Sequence, residues 1–412
     1  MHRHVRTGWL PVLLVASVTA EASSVVTETE FLAFLDASHP AALQASESVA
    51  AARGRVVAAA TLENPTLSVV REDPSGPAEQ LDWTLSWQLP GSDRRRWIEA
   101  GEGALAAAEA QQSMELLALR LAMREIYADW AVNGARRARL ALQVERVERL
   151  ARREAARAEK GEASGLAARR LDLAVAVLRS RLALADADTE AARTRAAAWA
   201  PELPPDARSE LPLLPEAIDA AGDPPRLGAS PRLRAAQADL AAALLEQQAA
   251  RHFVRSPEVQ IGWQAQETAA ESLDGPIVGL AWSVPIFARG QAARALAESR
   301  VSAARSQLEL VRRESAAARS SAGEVYSRHS AAVEQAESAV AGNERLLAAA
   351  EVAFRHGETT LTDLLDTLRA MDDAEMAVLD LYAAALAANR ELERQIGSGA
   401  VAPSPDSNPV KE

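Results

Sequence analysis

The sequence predicts a mainly α-helical protein that also supplies strands to a membrane β-barrel, and three observations lead to this fold class. Two stretches, Leu81–Leu89 and Ile277–Ile286, alternate apolar residues with small or polar ones at a period of two, as β-strands do. After Pro and Gly residues, each is followed by roughly sixty residues of helical composition, enough for a helix of about 90–100 Å. The same order of elements occurs twice along the chain, which indicates an internal duplication.

The composition suits long helices and excludes several kinds of function. Of the 412 residues, 48% are hydrophobic but only 4% are aromatic, and alanine supplies much of the hydrophobic share. The chain has no cysteine, which excludes disulfides, thiolate metal sites and acylation at a cysteine. The formal net charge of −12 and the pI near 5.2 argue against nucleic acid as a partner.

Residues 1–22 have the features of a secretory signal peptide. Arg3 and Arg6 form a basic start, Trp9–Val18 is apolar, and Ala20-Glu21-Ala22 fits the small-residue cleavage pattern. The apolar part is too short for a transmembrane helix, and no later run reaches the about eighteen apolar residues that such a helix needs. We therefore expect a secreted protein.

The first repeat is expected to span residues 23–199, after a short acidic segment at Thr27–Asp36. Turn-forming and helix-breaking residues divide it into a helix, two strands and a long helical hairpin. The predicted elements are a helix from His39-Pro40 to about Leu62, strands Thr66–Val70 and Leu81–Leu89, a helix from about Trp97 to Lys160, a break at Gly161–Gly165, and a second helix that continues to about Trp199.

A proline-rich connector, residues 200–229 with one short helix at Glu216–Ala220, separates this repeat from a second one, residues 230–396. The elements of the second repeat match those of the first, one by one, at a spacing of roughly 190 residues. Its predicted elements are a helix after Ser230-Pro231, strands Glu258–Gln266 and Ile277–Ile286, a helix from about Gln291 to Arg355, and a helix from about Leu361 to Gln395. The tail, residues 397–412, is predicted to be disordered.

Four strands in one chain cannot close a sheet, yet a sheet in lipid must close because an open edge has no hydrogen-bonding partner there. The strands approach the roughly 9–11 residues that a tilted strand needs to cross a bilayer. Two chains would give eight strands, and an eight-stranded barrel is filled by its own side chains. Three chains give twelve strands and an open passage. The strands also carry Trp83, Trp87, Trp263 and Trp282, which we expect to form an interfacial aromatic girdle. The alternative that we weigh against the girdle is a set of core tryptophans in a soluble β-sandwich.

The duplicated strand–strand–helix–turn–helix order resembles that of the TolC-type outer-membrane efflux proteins, and among them the CzcC-like heavy-metal-efflux branch. The resemblance covers nearly all of the mature chain. Its most specific stretches are LSWQLPG (Leu85–Gly91), VGLAWSVPIFARGQ (Val278–Gln291) and FRHGETTLTDLLDTLRA (Phe354–Ala370). It implies a homotrimer with a twelve-stranded β-barrel in the outer membrane, four strands per chain, continuous with a long α-helical barrel in the periplasm.

The resemblance also implies the partners and the role. Such a protein is the outer-membrane exit duct of a tripartite efflux system. It is surrounded by outer-membrane lipid and docked to a periplasmic adaptor (a membrane fusion protein) and an inner-membrane pump of the resistance–nodulation–division or another type. It requires no cofactor. The exported substrate, metal cations or drugs, is not specified by the sequence.

Two carboxylates fall where the resemblance places acidic rings at the periplasmic entrance. Asp363 and Asp366 lie three residues apart at a helix start, so both share one face. The alternative is that they serve the positive end of the helix, with Thr360 or Thr362 as its cap. The family's drug-efflux prototype has an arginine two residues after the tip glycine, whereas this chain has Thr359, so gate-closing ion pairs from that position are not expected.

The turns of the two helical hairpins are the candidate adaptor-docking sites. Each contains a glycine at the far end of a helix pair: Gly161 with Glu162 in the first hairpin, and Gly357 with Glu358 and Thr359 in the second. The alternative is that these glycines only form turns. The place of both turns at the ends of long helices favours docking as well.

No enzyme signature is present: the sequence lacks the zinc-protease, serine-hydrolase and phosphate-loop motifs. The mature histidines, His39, His252, His329 and His356, are scattered and do not suggest a metal site. The competing prediction of another class is a soluble periplasmic coiled-coil scaffold or adaptor. It accounts for the signal peptide and the helices, but not for four amphipathic strands with tryptophans that adjoin them.

Overall fold

The structure is a computed structural model that describes residues 24–35, 39–72, 78–162, 164–215, 230–251, 256–268 and 271–397. Several sequence predictions fall elsewhere. The signal peptide, the helix expected at Glu216–Ala220, residues 398–412 of the tail and the tips of the two loops between paired strands lie outside the described residues.

The first half of the chain contains two strand pairs and four helices that follow the predicted order. Its elements are β1 (Val25–Val26), α1 (Glu28–Ala33), α2 (Pro40–Ala60), β2 (Thr66–Glu72), β3 (Ala78–Gln88), α3 (Arg94–Glu159), α4 (Gly165–Trp199) and β4 (Arg208–Ser209). The 66 residues of α3 make a helix about 99 Å long.

The second half repeats the helix–strand–strand–helix–helix order. Its elements are α5 (Pro231–Arg251), β5 (Glu258–Thr268), β6 (Ser272–Ala281), α6 (Gln291–Val340), α7 (Asn343–His356) and α8 (Leu361–Ile396). Helices α6 and α7 together correspond to α3, and α8 corresponds to α4.

The strands form one four-stranded antiparallel sheet in the order β2-β3-β5-β6. Its register brings apolar side chains to one face in every strand, for example Leu67, Leu85, Ile261 and Val278, which lie in line across the sheet. These four side chains are exposed. The opposite face carries mainly Ser, Thr, Gln and Gly residues, with Val70, Leu273 and Ile277 as apolar exceptions, and is less exposed along most of β3, β5 and β6. The sheet is therefore amphipathic with its apolar side outward.

Close approach of β3 and β5 depends on Gly262, which lies opposite Thr84. A Cβ atom at this position would lie 2.2 Å from the backbone oxygen of Trp83. Because no side chain tolerates that distance, glycine here allows the tight pairing of the two central strands, one from each repeat.

The helices pack side by side, with α3 as the common neighbour of α2, α4, α5 and α8. At the end remote from the sheet, α3, α4, α7 and α8 share one apolar core. Its buried members are Val144, Val147, Ala151, Leu171, Val175, Leu178, Leu347, Leu364, Leu368 and Met371. This core holds the two helical hairpins beside each other.

A second core lies near the middle of the helical part, where the N-terminal segment and the connector meet α3. Strands β1 and β4 pair in parallel there, and Phe31, Tyr127 and Trp130 are buried together. The hydroxyl of Tyr127 donates to the backbone oxygen of Val26 at 2.8 Å. This region therefore ties both ends of the first repeat to its long helix.

The structure differs from the sequence predictions at several places. The connector contains the short strand β4, β3 begins at Ala78 and not at Leu81, and β6 begins at Ser272 and not at Ile277. The short acidic segment at Thr27–Asp36, for which no secondary structure was predicted, contains α1, which Thr27 caps together with Glu30. Strand β6 was expected to reach Ile286 but ends at Ala281, because its partner β5 begins at Glu258, directly opposite. The helix expected to run unbroken from Gln291 to Arg355 is interrupted at Ala341 and Gly342.

Among the described residues, no helix combines the length and the apolar character needed to cross a membrane.

Candidate functional site

The turns of the two long hairpins have the same backbone geometry. Gly161 and Gly357 adopt φ angles of 72° and 77°, a left-handed conformation that favours glycine. In each turn the next residue, Glu162 or Glu358, donates its N–H to a carbonyl five residues back, over 2.9 Å. Both turns are thus Schellman-type helix ends that present a glutamate at the tip.

The next helix starts in the same way after both turns. Ser164 and Thr360, each three residues after its glycine, cap α4 and α8 through their hydroxyls. Both turns therefore read Gly-Glu-x-Ser/Thr, a short repeated motif that places two similar tips side by side. Neither glycine has a neighbour within 4 Å of the position where a Cβ would lie, so the tips are open to a partner.

Asp363 serves the start of α8. Its Oδ2 atom accepts hydrogen bonds from the backbone N–H of Thr360 at 2.9 Å and from the Thr360 hydroxyl at 2.6 Å. The Thr360 hydroxyl oxygen accepts in turn from the N–H of Asp363, which completes a capping box. The side-chain and backbone hydrogen bonds from Thr360 lower the pKa of Asp363 below its ordinary value. Asp363 therefore does take part in the cap of α8, with Thr360 as the N-cap. Its role in lining an entrance stays a prediction.

Asp366 does not take part in the cap. It lies one turn further on, exposed, with its carboxylate 3.3 Å from the guanidinium of Arg369. An exposed ion pair of this kind contributes little to the free energy of unfolding. Of the two predicted entrance carboxylates, Asp366 is thus the one that does not serve the helix start.

A cleft of about 620 Å³ separates α4 from α8, with α3 as its floor. Asp366 and Arg369 line one wall, and Arg170 and Arg181 line the other. At the tip end of the cleft, Arg170 donates to the hydroxyl of Thr362 at 3.4 Å. This long hydrogen bond is a direct polar link between α4 and α8.

Asp372 lies at the inner end of the same cleft and is half-buried. Its Oδ2 atom accepts a hydrogen bond from the side-chain amide of Gln143, a buried residue of α3. Burial, and then repulsion from Glu375, raises the pKa of Asp372 to about 7, although Arg146 opposes the shift. Asp373 raises it slightly further, and Arg181 also opposes it.

The four girdle tryptophans occupy two levels of the sheet. Trp83 and Trp263 lie opposite each other at the midpoints of β3 and β5. Trp87 lies one residue before the helix-side end of β3, where its indole N–H donates to the backbone oxygen of Glu63 at 3.1 Å. Trp282 follows the last residue of β6 and is exposed. Only Trp87 and Trp282 lie where an interfacial girdle requires them, and that role stays a prediction.

The sequence reasoning missed the residues that line the cleft opposite the entrance carboxylates. Arg170, Arg181 and Gln143 belong to α3 and α4, more than a hundred residues away in sequence from α8. A local signal exists for Gln143, which is one of three buried polar residues of α3, with Arg124 and Glu154, and lies beside the buried Val144. Within the described part of the chain, no group of three or more His, Asp or Glu side chains could hold a metal ion.

The fold is that of bacterial outer-membrane channel proteins. Comparison of the sequence with family models and with curated proteins gave no match, whereas comparison of the structure with solved structures gave matches along nearly the whole chain. The outer-membrane protein VceC of Vibrio cholerae superposes with a TM-score of 0.69 at 16% identity, over 90% of this chain and 96% of that one.

Two further solved structures make the same point. CusC, whose structures concern transmembrane channel formation, matches with a TM-score of 0.73 at 16% identity, over 92% of this chain and 94% of that one. The open state of the MtrE outer-membrane channel of Neisseria gonorrhoeae matches with a TM-score of 0.67 at 17% identity, over 90% and 89% of the two chains. The predicted TolC-type fold, with a long helical part and four strands per chain, is thereby confirmed.

Proposed function

We propose that the protein is one protomer of a trimeric outer-membrane exit duct. The duct passes substrates from a periplasmic adaptor and an inner-membrane pump to the exterior. The observation that carries this proposal is the sheet, whose apolar face is exposed and whose two edge strands, β2 and β6, have no partner among the described residues. A soluble protein has no reason to expose such a face, whereas lipid covers it at no cost.

The direction of the strands supports closure by further copies of the chain. The four strands alternate in direction, so β6 of one protomer is antiparallel to β2 of the next when copies are arranged in a ring. Every added chain preserves the alternation, and three chains give twelve strands. A barrel of that size is wide enough to leave a passage lined by the polar face.

Exposed apolar residues on the helices support the same assembly. Leu166, Leu173, Val177 and Leu184 follow one stripe of α4 and are exposed. Their spacing matches that of a helix–helix seam. On the other edge of the helical layer, near the same tip, Leu346 and Val352 of α7 are exposed as well. In a ring of protomers, these two edges meet.

Within the trimer, the tips and the carboxylates receive the roles that the family resemblance implies. Three copies of Asp366, with those of Asp363, surround the periplasmic entrance and concentrate cations there. The Gly161 and Gly357 turns, with Glu162, Glu358 and Thr359, dock the adaptor. The protein acts as a passage and not as an enzyme.

The substrate class and the heavy-metal branch are the finer part of the proposal. The CzcC-like resemblance of the stretches around Val278–Gln291 and Phe354–Ala370 favours metal cations over drugs. The metal is cargo in this proposal, and the pump selects it. A growth assay of a deletion strain with a series of metal salts and drugs tests this part: sensitivity to drugs alone would contradict it.

Inter-protomer disulfides test the assembly, and the absence of native cysteine makes the test clean. Ser68→Cys on β2 is combined in turn with Gly275→Cys, Ile277→Cys or Gly279→Cys on β6, all on the polar face of the sheet. Oxidation of one of these pairs should give a covalent trimer on denaturing gels, recovered from the outer membrane. Each single cysteine is the matched control and should stay monomeric.

If the protein is instead a soluble periplasmic scaffold or adaptor, the same experiment should give the opposite result. A scaffold is released with the soluble periplasm and gives no covalent trimer with any of the pairs. That result would overturn the duct.

A further inference from the structure

The structure contains a surface that neither the duct nor the docking role uses, at the junction between the sheet and the helices. Here β3 and β6 end and α3 and α6 begin. We propose that this junction binds the headgroups of anionic phospholipids in the membrane leaflet that faces the periplasm. The inference rests on the proposed function, because it requires the sheet to lie in a membrane.

The first observation is the apolar segment that follows β6. Val284, Ile286 and Phe287 are 60%, 58% and 89% exposed, and the segment has no regular secondary structure. Trp282, just before them, is exposed too. Four large apolar side chains in one short irregular segment are costly in water, at about 25 cal/mol per Å² of apolar surface. Lipid acyl chains remove this cost.

The second observation is the position of the arginines directly beside that segment. Helix α3 begins with three consecutive arginines, Arg94 to Arg96, and has no acidic residue in its first turn. Helix α6 follows Arg289, carries Arg294 one turn in, and has no acidic residue in its first turn either. The positive end of a helix disfavours cations. Both repeats thus place arginines at the positive end of a helix. The acidic residues nearest to the cluster on α3 are Asp93 at its N-cap and Glu99 one turn in.

We call Arg95, Arg96 and Arg289 the basic collar. Arg94 is not included, because its guanidinium donates to the backbone oxygen of Ala60. Arg289 donates through Nε to the backbone oxygen of Ile286 at 3.0 Å, which fixes the side chain beside the apolar segment. Arg95 pairs with Glu99 at 3.1 Å on an exposed surface. A guanidinium has five donors, so each arginine of the collar retains several for a phosphate.

The opposite end of the sheet has the reverse charge. Glu72, Glu267, Glu271 and Asp274 lie at or beside the ends of the strands remote from the helices. The only described base at that end is Arg71. The sheet therefore has an acidic rim and, roughly 33 Å away along the strands, a rim with an excess of arginine. There the four arginines Arg94, Arg95, Arg96 and Arg289 outnumber the three acids Glu63, Asp93 and Glu258. Charge complementarity assigns the phospholipid phosphates to the arginine-rich rim.

Trp97 and Trp87 agree with this placement. Trp97 lies in the first turn of α3 with its indole N–H donating to Asp93 at 3.3 Å, and Trp87 lies near the end of β3. Tryptophans concentrate at the level of lipid headgroups because one end of the ring system is apolar and the other is wet. The apolar segment, the tryptophans and the basic collar therefore lie together at the junction, which is the combination that an interface between acyl chains and headgroups requires.

The test is a titration of the purified trimer in neutral detergent with a fluorescent phosphatidylglycerol or the matching phosphatidylcholine. The parent protein should bind phosphatidylglycerol more tightly. Arg95→Gln with Arg96→Gln should weaken that binding on the order of 30-fold, since one arginine near an anionic surface is worth about 1 kcal/mol. Phosphatidylcholine binding should not change.

The matched control is Arg152→Gln with Arg153→Gln. These are also consecutive exposed arginines of α3, and Arg152 pairs with Glu148 as Arg95 pairs with Glu99. They lie about 85 Å from the collar along the helix and should leave both affinities unchanged. Equal losses in the two double variants would overturn the proposal.

Two measurements on the parent fold keep the proposal testable if the collar variant does not assemble. The preference for phosphatidylglycerol should fall between about 0.1 M and 1 M salt, because the Debye length shrinks from about 10 Å to about 3 Å. A fluorophore on Phe287→Cys should be quenched by nitroxide-labelled lipid in nanodiscs. A salt-independent preference or an unquenched fluorophore would show that protein or detergent covers the junction.

The outcomes also separate this proposal from the duct. A membrane-extracted trimer that binds both lipids equally overturns the collar and leaves the duct in place. A soluble periplasmic protein that binds neither lipid overturns both.

Discussion

Replacement of Asp372 by asparagine should raise the free energy of unfolding at neutral and higher pH but not at about pH 4. In the folded chain the pKa of Asp372 rises from 3.8 to about 7, mainly because the carboxyl is half-buried between α8 and α3. Between these two values the folded state keeps a proton that the unfolded state has lost. The free energy of unfolding therefore decreases as the pH rises from about 4 to about 7, and stays reduced at higher pH.

The magnitude follows from the shift. About three pKa units at 1.36 kcal/mol each give an upper bound of about 4 kcal/mol, and solvent screening of a half-exposed group reduces this to about 1–2 kcal/mol. After Asp372→Asn, the amide oxygen of the new side chain would still accept the hydrogen bond from Gln143. The substitution thus removes the charge and retains the contact.

Thermal melting of the detergent-solubilised protein checks this prediction. At about pH 4 the parent and Asp372→Asn should melt at the same temperature, and above about pH 7 the variant should melt roughly 2–4 °C higher. Asp188→Asn, an exposed aspartate of α4, is the control and should show no such pH dependence. A stabilisation that is constant across this range, or a destabilisation at pH 8, would refute the reasoning.

The remaining predictions concern the middle and the tip of the helical part. Arg124→Met should lower the free energy of unfolding by about 3–5 kcal/mol, measured by denaturant titration, because Glu28 and Glu393 lose their shared partner; a loss below about 1 kcal/mol would contradict this. Asp366→Asn should weaken cation selectivity and block by trivalent cations in planar bilayers without changing the melting temperature, and unaltered selectivity would remove Asp366 from the entrance. Gly161→Trp with Gly357→Trp should abolish export while the trimer still inserts. The corresponding alanine pair carries the same backbone strain of about 1–2 kcal/mol per site and should still export; equal resistance in both strains would argue against docking.

The order of the elements could be predicted because each signal was local. Pro40 and Pro231 open helices, and Gly161 and Gly357 end them, so these bounds follow from single residues. The interruption at Gly342 could not be predicted in the same way. Its backbone is right-handed, with φ −89° and ψ −7°, and one glycine costs only about 1 kcal/mol in a helix. Whether such a helix breaks depends on its neighbours.

The end of β6 is set by its pairing with β5 and could not be predicted from the alternation of apolar residues. Val284 and Ile286 continue the alternation of β6, yet they lie beyond the last residue of its partner strand, and a strand without a partner does not extend. The candidate site shows the same limit. The roles of Asp363 and Asp366 were open from the sequence because both share a face of α8. Only the geometry of Thr360 and Arg369 separates the carboxylate that caps the helix from the one that pairs with an arginine.

Both ends of α8 lie in apolar cores, but their polar contacts differ, and this bears on how the proposed entrance would open. Near its C-terminus, Glu393 binds the buried Arg124 of α3, and the Tyr382 hydroxyl donates to the backbone oxygen of Pro212 at 2.6 Å. At the tip, the polar link to α4 is the 3.4 Å hydrogen bond between Arg170 and Thr362 beside an open cleft. Buried charge pairs are expensive to break, and exposed long hydrogen bonds are not. We therefore expect an opening motion to start at the tip and to turn about the end held by Arg124.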